Sequence, residues 1–189
     1  MDAELRLELE HRLGINEGVR LTPYRDTMGI LTVGIGYNLQ QGGAVEHLHA
    51  VGVDNPASVV LGNGRITQEQ AYALFNLILP GYIDVARESL SSGIFDTLGN
   101  RQIPVCDLVY NLGQRGWQGF TGTRALINEA QAAKNAGNAH KAHILFGIAA
   151  DHLRASAWDG QVHDRAKRDE AILRTSLLCD AYGDGSDVL

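Results

Sequence analysis

At residue 18 the hydrophobic pattern of the chain changes period, and that change restricts the fold more than any other stretch. Before it, Leu5, Leu9 and Leu13 recur at helical spacing behind Asp2, a natural N-cap, and Gly14 or Gly18 offers the stop. After it, short β segments are predicted at 21–24 and 30–35 around the turn Asp26-Thr27-Met28-Gly29, with Pro23 placing the first on a sheet edge. A helix running straight into a hairpin puts Glu17 at or just past a helix end, Asp26 in a tight turn and Thr32 on the return strand. Two carboxyls and a hydroxyl that can face one cleft are the elements of general acid and base chemistry.

The remainder reads as helix. Thr67 as N-cap with Gln70 three residues on is a capping box, so a helix starts at Gln68 and buries Ala71, Leu74, Phe75 and Ile78. Further helices are predicted at 83–90, 104–112, 123–136, 139–155 and 164–182, separated by glycine-bearing breaks. Residues 40–64 carry no firm period and read as loop with a short helix. The expected class is α+β: one domain over 1–189, with a small α/β lobe at about 14–65 and a helical lobe at about 66–189 that includes the N-terminal helix. The Gln68 helix joins the lobes, and a cleft is expected between them.

Taken singly, each polar residue has an ordinary use. A helix-end glutamate is usually solvated, Asp26 can bond its own backbone, and Thr32 suits a strand because it is β-branched. Beside the negative end of a helix dipole the Glu17 carboxylate is disfavoured, which suits a proton donor, although a nearby cation would oppose the shift. Gly34 and Gly36 weaken a strand and mark a bulge or a surface approached closely by a ligand.

Composition narrows the alternatives. The net charge of −6 argues against a sequence-independent grip on nucleic acid or on an anionic membrane. No long apolar run is present, so membrane insertion is not expected, and the N-terminus lacks the basic start and apolar core of a signal peptide. Cys106 and Cys179, both in apolar contexts, read as buried free thiols. The pairs His47/His49 and His140/His143 lack Cys or acidic partners at metal-site spacing, so no metal and no other cofactor is expected. Gly34-Ile35-Gly36 is not a dinucleotide loop, and Gly-x-Ser-x-Gly is absent.

The segments Glu17-Gly18-Val19-Arg20-Leu21, Tyr24-Arg25-Asp26-Thr27, Gly29 and Thr32-Val33-Gly34-Ile35-Gly36 closely resemble, in order and spacing, the active-site region of the T-even phage lysozyme family. Similarity continues through Ile66-Thr67, Leu74-Phe75-Asn76, Tyr110-Asn111-Leu112-Gly113, Gly119-Phe120-Thr121, Trp158, Arg165-Ala166-Lys167-Arg168 and Asp180-Ala181-Tyr182, so it covers about 11–182 with gaps. The resemblance implies a lysozyme-like fold, Glu17 as general acid, Asp26 as the carboxylate that activates or places water, and Thr32 as the hydroxyl that orients it. It also implies Arg165 against the catalytic glutamate, with Tyr24 in support, and sugar contacts from Tyr110, Asn111, Thr121 and Thr123. Two departures stand out. Tyr37 and Ile78 occupy the positions of a histidine and its aspartate partner in the best-known member, and the segment between Phe120 and Trp158 is longer than the family pattern. The joint loss of the pair reads as repacking, because a buried aspartate without its partner would be costly.

The expected activity is hydrolysis of the β-1,4 bond between N-acetylmuramic acid and N-acetylglucosamine in peptidoglycan glycan strands, with inversion favoured. The expected setting is a phage endolysin, monomeric, held in the host cytoplasm until a holin pore releases it to the wall. The same chemistry would serve an antibacterial effector or bacteriocin with a cognate immunity protein, whereas a lytic transglycosylase, in which the glutamate acts without a bound water, would be told apart by anhydro-sugar products. A lysozyme-like wall-binding module without activity is the alternative from another class, and intact Glu17, Asp26 and Thr32 argue against it.

Overall fold

The computed structural model describes residues 1–26, 29–156 and 158–178. Within them lie nine α-helices, a single 3₁₀ turn and one small antiparallel sheet, the α+β class that the pattern predicts. Cys179, the Asp180-Ala181-Tyr182 segment and the predicted helix beyond residue 178 lie outside the described residues, as do Thr27 and Met28.

Helix α1 (Ala3–Glu17) begins where Asp2 accepts from Leu5 N–H at 2.8 Å and ends at Gly18, whose φ of +66° is the left-handed stop that glycine adopts without strain. Strands β1 (Arg20–Arg25), β2 (Leu31–Gly34) and β3 (Tyr37–Asn38) follow in the order β1-β2-β3, with Pro23 on the edge strand as expected. The third strand has no sequence signal of its own. It exists through its pairing, Thr32 opposite Asn38 and Val33 opposite Tyr37.

Residues 40–64 hold two short helices, α2 (Ala44–Ala50) and α3 (Pro56–Val60), where one was expected. The capping box is present: Thr67 N–H donates to Gln70 Oε1 at 2.9 Å and Gln70 N–H to Thr67 Oγ1 at 3.1 Å. Helix α4 (Gln68–Glu88) then runs without interruption through Pro80, so the predicted separate helix at 83–90 is corrected. Proline removes one backbone donor and disfavours a helix interior. Here Leu79 at 0% and Ile83 at 6% exposure are buried on either side of Pro80 and Gly81, and burial outweighs the local cost.

Two short elements escaped the sequence reading, α5 (Ile94–Thr97) and the 3₁₀ turn Gly99–Arg101. Helix α6 (Gln102–Gln118) bends at Gly113, with φ 69° and ψ 169°, next to the predicted end at 112. Helices α7 (Thr121–Asn135) and α8 (Ala139–Arg154) account for the long segment after Phe120, turning at Gly137 with φ +80°. Helix α9 (Asp159–Thr175) starts five residues before the predicted 164 and stops at Ser176, which takes φ 63°.

The chain divides into two compact units, Glu10–Gly81 and the combination of Met1–Leu9 with Tyr82–Leu189, so the boundaries fall inside α1 and α4. In the smaller unit Val33, Tyr37, Leu39, Leu48, Ile66 and Leu74 form a core against which Leu21, Leu31 and Ile78 pack. In the larger unit Phe95, Trp117, Ile127, Phe146, Leu153 and Ile172 are each 1% exposed or less. There Arg101 closes the end of α9. Its Nε donates to Leu173 O at 2.7 Å and its Nη2 to Arg174 O at 3.1 Å, while the guanidinium lies 3.9 Å over the Phe146 ring.

Candidate active site

Glu17, Tyr24, Asp26 and Thr32 all belong to the smaller unit, and the hairpin brings them together. Glu17 is the last residue of α1, partly exposed, in a terminal turn with no basic residue to offset the helix dipole. Tyr24 is the electrostatic centre of the group. Burial raises its hydroxyl pKa first, the Glu17 charge raises it next, Arg20 lowers it, and Asp26 raises it. The charges of both carboxyls are therefore felt at one phenol, and the Arg20 guanidinium rests 4.3 Å from the centre of the same ring.

Asp26 makes the turn as well as facing the group. Its Oδ1 accepts from Ile30 N–H at 2.9 Å, while the backbone bonds Asp26 N–H to Ile30 O at 3.0 Å and Gly29 N–H to Asp26 O at 3.0 Å. The ordinary use of a turn aspartate is thus present and fixes the carboxyl direction. Thr32 is 3% exposed, lies opposite Tyr24 across the β1–β2 ladder, and donates its Oγ1 proton to Ile30 O at 3.1 Å. With its proton so committed, the hydroxyl keeps lone pairs that can accept a hydrogen bond from a water.

Gly34 and Gly36 have a conformational role in the sheet, and Gly34 pairs with Arg20 at the edge of its irregular register. They take φ +66° and +65° at the β2–β3 turn, and a Cβ on Gly34 would lie 3.5 Å from the Ala71 side chain of α4. The bulge in the sheet is in β1, between Arg20 and Tyr24. Tyr37 is 1% exposed and its Oη lies 2.8 Å from His47 Nδ1 on α2, while Ile78 packs against the same core. A tyrosine and a histidine from a different helix thus form a neutral hydrogen bond at the first of the two positions.

The remaining predicted residues belong to the larger unit. A groove of about 600 Å³ there is lined by Phe120, Thr121, Thr123, His152, Ser156 and Trp158, among others. Thr121 is exposed, whereas Thr123 is buried at 3% exposure. Tyr110 is 8% exposed and its ring centre lies 4.7 Å from that of Tyr82, with the two rings tilted at 48°, so most of the ring is used in packing. Asn111 is exposed, and its Oδ1 accepts from Trp158 Nε1 at 2.8 Å, so the amide is oriented by the buried indole.

Arg165 is buried and gripped from α6. Its Nε donates to Asp107 Oδ2 at 2.6 Å and its Nη2 to Asp107 Oδ1 at 3.0 Å. Sequence reasoning missed Asp107, although one acidic residue in the apolar run Val105-Cys106-Asp107-Leu108 was a usable sign of a buried charge with a partner. His152 was also missed, since nothing in sequence separates a groove histidine from a surface one. Among the described residues no group of three or more His, Cys, Asp or Glu side chains is arranged to hold a metal ion, and no helix is long and apolar enough to cross a membrane.

The phage lysozyme family model matches residues 15–145, which takes in Glu17, Asp26, Thr32 and the Phe120–Thr123 wall of the groove and stops inside α8, before Arg165. A protein described as "Probable T4-type lysozyme 1", from Dictyostelium discoideum, is 26% identical over 189 residues, covering 92% of this chain and 97% of its own length. With the matched residues spanning more than half of the sequence, the chain belongs to the phage lysozyme family, a family of glycoside hydrolases acting on peptidoglycan.

Proposed function

We propose that this chain cleaves the β-1,4 bond between N-acetylmuramic acid and N-acetylglucosamine, as a single-domain muramidase. The observation that carries the reading is the meeting of Glu17, Tyr24, Asp26 and Thr32 around one helix end and hairpin, supported by the family match. Glu17 donates its proton to the glycosidic oxygen, so the leaving sugar departs as an alcohol. A water accepted by Asp26 and aligned by Thr32 attacks the anomeric carbon from the other face and gives its proton to Asp26. Such a water needs carboxyls about 6.5–9.5 Å apart, and the product is inverted. Tyr24 shields the two carboxyls with its neutral ring and hydroxyl.

In this reading Arg165 is a supporting cation, held in place by its two bonds to Asp107. The Thr121 and Thr123 segment, Asn111 and the Tyr110 edge contact sugar, and the amphipathic groove beside Trp158 suits amino-sugar faces. The protein acts as a monomer on wall glycan without a cofactor. The biological setting assigned to it is that of a phage endolysin, with holin-dependent passage from the host cytoplasm to the wall. Digestion of purified peptidoglycan tests the reaction class. The expected fragments end in reducing muramic acid, and 1,6-anhydro-muramic ends would replace hydrolysis by transglycosylation.

A further inference from the structure

Arg165 faces more carboxyl groups within its own unit than a single cation balances. Asp107 takes two of its N–H groups, and both side chains of that pair are buried, at 8% and 2% exposure. Asp169, one turn along α9, is buried as well, and its carboxyl is hydrogen-bonded to that of Asp107. Ionised carboxylates have only acceptors, so a bond between two of them requires a proton on one. Asp107 already receives two donors from Arg165, which favours its ionised form. The Oδ2 atom of Asp169 is buried and no donor among the described residues reaches it. For a carboxylate that position would strand a charge, whereas a protonated group aims its own O–H at Asp107.

The charged and titratable groups around Asp169 are Asp107 and Cys106 on α6 and Arg165 and Arg168 on α9. Burial, the Asp107 charge and the Asp107 hydrogen bond push Asp169 well above the ordinary carboxylate range, against the pull of the two arginines. With the proton in place, the buried Arg165 guanidinium and the Asp107 carboxylate balance, since Arg168 is only half-buried and reaches solvent. Without it, a buried excess negative charge draws Arg165 towards the pair.

We propose that Asp107 and Asp169 share one buried proton and act as positioning residues that set the orientation and net charge of the Arg165 site. This rests on the muramidase reading. Asp107 fixes the guanidinium plane, and the Asp169 proton keeps the buried site neutral.

Carboxyl-carbon NMR of aspartate-labelled wild-type protein tests the shared proton directly, with Asp169→Asn for assignment. One resonance stays in the protonated position well above the usual value of about 4 and is missing from the variant. If every aspartate titrates in the usual range, the proposal is overturned, and that result requires no variant to fold. Thermal midpoints give a second readout. A carboxyl whose folded pKa is raised contributes stability that is full below its unfolded pKa and is lost as pH rises through the folded one. The wild-type midpoint therefore falls across that window, and Asp169→Asn, whose amide donates at every pH, lacks this part of the fall. Identical slopes overturn the proposal. For the positioning role, Asp107→Asn lowers kcat at least about tenfold with little change in KM. A raised KM at wild-type kcat contradicts it. A wild type inactive on every wall would refute the muramidase reading while leaving the NMR result to decide the shared proton.

Discussion

The Tyr37–His47 bond replaces a charged pair with a neutral one, and its worth can be worked out from the structure. Tyr37→Phe keeps the ring volume in a site that is 1% exposed and removes only Oη, which lies 2.8 Å from His47 Nδ1. A neutral buried hydrogen bond contributes about 1 kcal/mol net. The cost would be higher if His47 were left dry, but its ring is partly exposed and water can reach it. At roughly 2–4 °C per kcal/mol for a chain of this size, the melting temperature falls by about 2–4 °C. His47→Ala loses the same bond and an edge-on ring contact at 6.1 Å and 77°, for about another 1 kcal/mol. Urea denaturation of both single variants and the double variant isolates the coupling, expected near 1 kcal/mol. A coupling indistinguishable from zero would refute the reasoning, since it would mean that Oη and Nδ1 are as well satisfied by water as by each other.

Other expectations follow from single features. Thr67→Ala removes the hydroxyl that accepts from Gln70 N–H at 3.1 Å, and urea denaturation should show a loss of about 1 kcal/mol. Cys106 is 0% exposed and burial pushes its thiol pKa well up, so in a Cys179→Ser background it should resist thiol reagents until denaturant is added; labelling in native buffer would contradict its burial. Thr32→Val keeps the strand shape but removes the group that orients water, so kcat on peptidoglycan should fall about a hundredfold or more with the fold retained; unchanged kcat would take Thr32 out of the mechanism.

What could be read from the sequence is what short-range chemistry decides. Asp2 capping α1, the Gly18 stop and the Thr67/Gln70 box each depend on groups within about four residues, and all three have their bonds or dihedral angle in the structure. Pro80-Gly81 misleads because the rule that proline breaks helices is local, whereas the burial of Leu79 and Ile83 that carries α4 through it is not. Strand β3 is two residues long and owes its existence to partners on β2. For the site, the hairpin residues were legible because Glu17, Asp26 and Thr32 lie within 16 residues of one another. Asp107 and Asp169 were not, since 62 residues separate them and only the packing of α6 with α9 gives either a role.

The claim that Glu17 is the proton donor is tested most directly by Glu17→Gln, which keeps the shape and hydrogen-bonding ends of the side chain but cannot release a proton. Reducing ends liberated from purified peptidoglycan by equal amounts of folded wild type and variant are the readout, with circular dichroism to match the folds. The account predicts a loss of at least about a thousandfold in rate at unchanged binding to the wall. Release by Glu17→Gln at the wild-type rate would contradict it.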